Sequence, residues 1–199
     1  MKATSTSSPT YEMTSLQPQV ELIRWVKQKE GYLHPDVEVA SDPGNRGFHV
    51  RVCVGQTIRP NTRIASCPIS TTLSVLNAVN IAPFRSHGTN FPASFIDTQS
   101  SAAVQYFFLM EQLLLGQESW WVAYVSAIPQ PDAIDSMLFV EGSDDRRWLA
   151  GTNLQGALAK QNDEWKELYR AATVQLKELQ WPNVERYTWY VDLLVLARA

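Results

Sequence analysis

Histidine and cysteine are scarce in this chain, with three His and two Cys in 199 residues. Cys53, Cys67, His34, His49 and His87 stand singly, without a Cys-x-x-Cys or His-x-x-x-His pair. A zinc site needs convergent ligands, usually supplied as such pairs, so this spacing argues against a metal centre. Two isolated cysteines suit free thiols in a reducing compartment better than a disulfide framework. The Gly-x-Ser-x-Gly elbow of serine hydrolases is missing, as is the Gly-x-Gly-x-x-Gly turn of dinucleotide binding. Basic excess is missing too. Seventeen Lys and Arg against 20 Asp and Glu give a net charge of −3, which supplies no field for a phosphate backbone and excludes nucleic acid as a first choice of partner. No apolar run reaches the roughly 20 residues of a membrane span. The first 15 residues are rich in Ser and Thr, with Lys2 as the one basic residue, and have no apolar stretch of the kind a signal peptide requires. With no Asn-x-Ser/Thr sequon either, these features predict an intracellular protein, cytoplasmic or nuclear, with a disordered lead over residues 1–18.

What is present organises into two blocks. Val20, Ile23 and Val26 recur at helical spacing from Gln19 to Glu30, and Gly31 supplies a stop. The period then changes to two. Phe48, Val50, Val52 and Val54 alternate with polar residues, which predicts a half-buried strand with its apolar side chains on one face. Val37–Ala40 reads as another strand and Arg63–Ile69 as a third, closed by Pro68, with Arg59-Pro60-Asn61 as a turn. Thr71–Val79 predicts a short helix, and Ile81–Asp97, with Pro83, Gly88 and Pro92, an irregular connection. From Ser100 onward the pattern is helical. Ala103, Phe107, Met110 and Leu114 share a face, Glu118–Ala127 reads as a shorter helix, and Leu158 to Leu179 as one long amphipathic helix ending before Trp181-Pro182. The final residues, Val184 to Ala199, predict a helix that is apolar on almost every side. Strands followed by helices, without alternation, indicate an α+β fold. The expected divisions are 19–80 for the β unit and 81–199 for the helical unit.

Few residues point to chemistry. Gly44-Asn45-Arg46-Gly47-Phe48 is either a ligand loop, since two glycines allow close approach of the backbone, or a plain turn between strands. Asp144, Asp145, Arg146 and Arg147 look like a solvated loop. Most of the seven tryptophans read as core, although Trp148 and Trp181 also suit the lining of a groove.

Several patches fall in a familiar order. Leu22-Ile23-Arg24-Trp25 through Gly31, then Gly44-Asn45-Arg46-Gly47-Phe48-His49-Val50, then Ile58-Arg59-Pro60-Asn61-Thr62 with Ile64-Ala65-Ser66-Cys67-Pro68 and Leu73-Ser74, form the first series. Leu109-Met110-Glu111, Gly116, Ser119-Trp120-Trp121-Val122-Ala123-Tyr124, Leu149-Ala150-Gly151-Thr152-Asn153-Leu154, Tyr187-Thr188-Trp189 and Leu196-Ala197-Arg198-Ala199 form the second. Over most of residues 20–199 this order resembles the SET-domain protein-lysine methyltransferases of the Rubisco-methyltransferase-like group. The resemblance implies an N-terminal SET β unit followed by the helical insert that splits the domain. It implies that Asn45, Arg46, Gly47 and Phe48 touch S-adenosylmethionine, largely through backbone, and that Arg198 falls beside the cofactor's carboxylate. It implies a lysine-bearing protein substrate, ribosomal or another non-histone protein.

The family's Asn-His motif and catalytic tyrosine, which follow that arginine, are not among these residues. The expectation is therefore an N-terminal portion that binds cofactor poorly and does not catalyse alone. Tyr190, Leu193, Leu194 and Leu196 are expected to drive self-association. Two other readings remain open: a non-catalytic helical interaction module derived from a SET protein, and an unrelated α+β interaction domain.

Overall fold

The computed structural model describes residues 17–41, 48–79, 91–128, 144–182 and 184–190. The chain is α+β and divides into two compact units, residues 1–68 and 69–199. The expected boundary near residue 80 thus differs from the observed one. Ile69–Thr71 is a 3-10 turn grouped with the helices, and the Trp121 indole donates to the Thr71 carbonyl at 3.1 Å.

The first unit opens with α1, Gln17–Gln28, which has no fully buried residue. Its end shows why the sequence stops there. The Gly31 amide donates to Val26 O at 2.8 Å and the Glu30 amide to Lys27 O at 3.2 Å, with Glu30 in the left-handed region at φ 67°. This is a Schellman closure with glutamate where glycine is usual. Gly31 is required for a different reason, because a Cβ there would lie 2.2 Å from Val26 Cγ1.

Two antiparallel ribbons follow. β1, Tyr32–Leu33, pairs with β4, Ala65–Ser66. β2, Val37–Ser41, pairs with β3, Phe48–Val52, in a register running from Val37↔Val52 to Ser41↔Phe48. Glu38 and Arg51 are opposite each other and form an ion pair at 2.8 Å, a cross-strand contact of the kind that fixes register. Arg59-Pro60-Asn61-Thr62 closes by a bond from the Thr62 amide to Arg59 O at 3.3 Å, with Pro60 in the second position and Asn61 at φ 64° in the third, the combination of a type II turn.

Two expectations need correction in this unit. The third predicted strand shrinks to two residues and pairs with Tyr32–Leu33, a strand too short to show any period. The strand predicted from Phe48 to Val54 exists as β3, ending at Val52, but its apolar face is not half-buried: Val50 is 60% and Val52 42% exposed. Alternation reports which face is apolar and says nothing of what covers it.

The second unit is built on α4, Ser101–Leu115. Ser100 caps it, its hydroxyl oxygen accepting from the Ala103 amide at 3.1 Å. Val104, Phe107, Phe108 and Met110 are completely covered, because α4 packs against α2 (Val75–Ala78), α3 (Ala93–Thr98), α5 (Val122–Ala127) and α6 (Asn153–Glu178). A helix apolar on several faces belongs in such a central position. Helix α3 lies inside the span expected to be irregular. Pro92 immediately precedes it, where the missing N–H costs nothing, so the proline read as a breaker is a start signal. Phe95 of α3 is fully buried, and Gln175 of α6 holds the helix by donating to Ser94 O at 3.0 Å while accepting from Gln99 Nε2 at 2.6 Å.

The shorter expected helix at Glu118 begins at Val122, after a 3-10 turn over Gly116–Glu118. Asp144–Leu149, expected as loop, is 3-10. Helix α6 runs as expected and ends in a second Schellman closure. The Trp181 amide donates to Leu176 O and the Gln180 amide to Lys177 O, with Gln180 at φ 53°. The described part of the closing segment, Val184–Tyr190, is a 3-10 helix rather than the expected α-helix. Its Val, Thr and three aromatic residues are weak α-formers, which helps account for the tighter turn. Residues 191–199 lie outside the described residues, and with them the rest of that predicted helix. Among the described residues no helix is long and apolar enough to cross a membrane.

Candidate functional site

Of the five residues expected to meet the cofactor, one is described. Phe48 opens β3, half-buried and paired with Ser41. Asn45, Arg46 and Gly47 fall in residues 42–47, between those paired strand ends, and lie outside the described residues. So does Arg198. Cys53 is half-buried, Cys67 is exposed, and neither forms a disulfide among the described residues. Among the described residues no three of His, Cys, Asp and Glu gather into a metal-sized group. Trp121 and Trp165 are core, as read, whereas Trp148 stands 72% exposed with the Arg147 guanidinium 5.4 Å from its ring centre.

The described residues do build one charged interior site, in the helical unit. Glu111 sits in the last two turns of α4 and is 5% exposed. A buried carboxylate is costly unless hydrogen-bonded. Its Oε1 accepts from the Tyr187 hydroxyl in a short bond and from the Trp181 indole N–H at 3.0 Å. Trp181 Nε1 also lies 2.7 Å from the Tyr187 oxygen, so the three side chains close a triangle.

The position of each side chain follows from local structure. The Schellman closure at Gln180 turns the chain out of α6 and places Trp181, and the 3-10 helix after Pro182 returns Tyr187 to the interior. Aromatic rings then hold them. Phe91 packs on Trp181 at 5.1 Å, and Phe107 meets Tyr187 edge-on at 5.3 Å and stacks on Tyr169 at 5.9 Å. Such pairs each contribute about 0.5–1.5 kcal/mol beyond their burial.

Burial pushes the Tyr187 phenol well above its ordinary value, and the negative charge of Glu111 pushes it further the same way. The phenol thus stays protonated and donates its hydrogen bond to Glu111. Tyr169 is raised as well, chiefly by burial.

A second buried polar group lies on the same helix. Gln112 Oε1 accepts from the Ser119 hydroxyl at 2.8 Å, and Ser119 Oγ accepts from the Trp121 amide at 3.0 Å. These bonds tie the end of α4 to the start of α5.

In the sequence Glu111 falls in the Leu109-Met110-Glu111 patch, Tyr187 in Tyr187-Thr188-Trp189 and Trp181 beside Pro182, and nothing groups the three. One signal was available: Glu111 is an acidic residue inside the run Phe107-Phe108-Leu109-Met110-Glu111-Gln112-Leu113-Leu114-Leu115, in a helix whose other faces are apolar. Its partners are 70 and 76 residues away, and no local pattern links them. Compared with known protein families, curated proteins and solved structures, the chain has no match in any of the three.

Proposed function

We propose that this chain is the N-terminal portion of an S-adenosylmethionine-dependent protein-lysine N-methyltransferase of the SET-domain, Rubisco-methyltransferase-like group, inactive as an isolated chain. The observation that supports this most is the β2–β3 hairpin. Its register ends at Ser41↔Phe48, so the Gly44-Asn45-Arg46-Gly47 segment joins two partnered strand ends, a position that suits the cofactor loop the resemblance implies. An α+β order with helices α2 to α6 following the strands supports it too.

S-adenosylmethionine would supply the sulfonium methyl group. The chain's own contribution is the loop's backbone N–H and C=O groups, with two glycines permitting close approach. Much of the rate of such a transfer comes from positioning a neutral amine. Tyr187, committed to Glu111, is not available for that task. The substrate is a protein lysine, ribosomal or in another non-histone protein.

A second reading, a non-catalytic helical interaction module, is favoured by the self-contained aromatic core of the helical unit. Titration of the purified chain with S-adenosylmethionine, followed by amide NMR shifts, separates the two. The methyltransferase reading predicts weak binding with shifts at Ser41 and Phe48 and no methyl transfer to protein. Absence of shifts at those residues at millimolar cofactor would leave the module reading, and methylation by the chain alone would refute the inactivity.

A further inference from the structure

Glu111 lines a half-open pocket of about 440 Å³ together with Leu114, Leu115, Gln117, Glu118 and Arg186. All six residues belong to the helical unit, so nothing about this cavity depends on the cofactor loop. Its volume is in the range of small-molecule sites.

Three features give its chemistry. The first is Glu111 itself, 95% removed from solvent; among the described residues both of its donors meet Oε1, which leaves Oε2 to receive a ligand N–H. The second is Glu118, exposed at the rim and adding a second negative charge. The third is the C-terminal end of α4. Its closing carbonyls carry the negative end of the helix dipole, and the last turn holds no basic residue to offset it. Against these stands one cation, Arg186.

A divalent metal is disfavoured, because two carboxylates beside a guanidinium fall short of the six or more oxygens that calcium takes and of the octahedral set that magnesium demands. An ammonium needs fewer acceptors and donates three N–H bonds. Leu114 and Leu115 offer apolar wall for a carbon chain.

We propose that this cavity binds a primary alkyl ammonium, its charged head held by Glu111 and Glu118 and its carbon chain lying along Leu114 and Leu115. The ammonium is borne either by a free small amine or by a lysine side chain of a peptide; both present the same chemistry.

The test is amide NMR titration of the whole chain with n-butylammonium, with n-butanol as the neutral match. Saturable shifts at residues 111–118 and at Arg186 are expected for the amine and not for the alcohol. Glu111→Gln, which keeps an acceptor for Tyr187 and Trp181, should weaken binding about tenfold. Glu118→Gln, at an exposed position that leaves the core intact, should weaken it about threefold. Free lysine and a lysine-containing peptide, titrated separately, identify the source, and saturable binding of either supports the site. Equal binding of n-butanol, no saturable shift, or unchanged affinity in folded Glu118→Gln would overturn it.

Discussion

Among the described residues the β unit buries the apolar side chains of Val37 and Ala40, whereas the helical unit completely buries Phe95, Phe107, Phe108, Trp121 and Tyr187. The β unit holds its shape by backbone pairing in two-stranded ribbons, by tight turns and by a helix closure. Two-stranded ribbons are marginal by themselves in water. The helical unit rests on removal of aromatic surface from water, worth about 1.5–3 kcal/mol for each large side chain fully covered. The difference locates where each kind of substitution should be felt: packing changes in the helices, conformational changes in both.

The largest effect is expected from Phe107→Ala. This ring touches Phe95, Tyr169 and Tyr187 and is fully buried, so its loss should cost about 3–5 kcal/mol by denaturant unfolding. A cost under 1 kcal/mol would show that the aromatic cluster does not carry the unit.

Next comes Tyr187→Phe, which removes a donor from a buried carboxylate and should cost about 2 kcal/mol at neutral pH. The pH dependence has a definite sign. The folded phenol holds its proton above the ordinary value of 10, so its contribution is full below that pH and is lost as pH rises through it, where the unfolded chain ionises first. Stability measured from pH 8 to 11 should fall more steeply in the native chain than in Tyr187→Phe, with some slope left in the variant from Tyr169.

The smallest effects are the helix closures, one in each unit. Glu30→Gly and Gln180→Gly each place glycine at a positive φ that an L-residue adopts at a cost, so each should stabilise by about 1 kcal/mol. Thermal melts of both variants sharpen the comparison, because a conformational gain is local and should not depend on which unit has the larger core.

The sequence made some of this legible and hid the rest for physical reasons. Helices α1, α4 and α6 were readable because a 3.6-residue period persists over 12, 15 and 26 residues. Strand Tyr32–Leu33 was not, since two residues carry no period, and helix Ala93–Thr98 was masked by a proline that marks its start. The exposed face of Val50, Val52 and Val54 shows the limit of alternation as a guide to burial. The Glu111 site depends on contacts 70 and 76 residues apart that only tertiary packing creates. The Gly44 to Phe48 segment, by contrast, is a local signal, and the strands on either side of it, Val37–Ser41 and Phe48–Val52, pair with each other.

Amide hydrogen exchange measured with and without S-adenosylmethionine tests both the contrast between the units and the reading of the loop. Without cofactor, amides of α4 should exchange far more slowly than those of β2 and β3. With it, added protection should fall on Ser41 and Phe48 to Val52 and leave α4 unchanged. Protection added to α4 and α6 while β3 stays as it was would contradict the account.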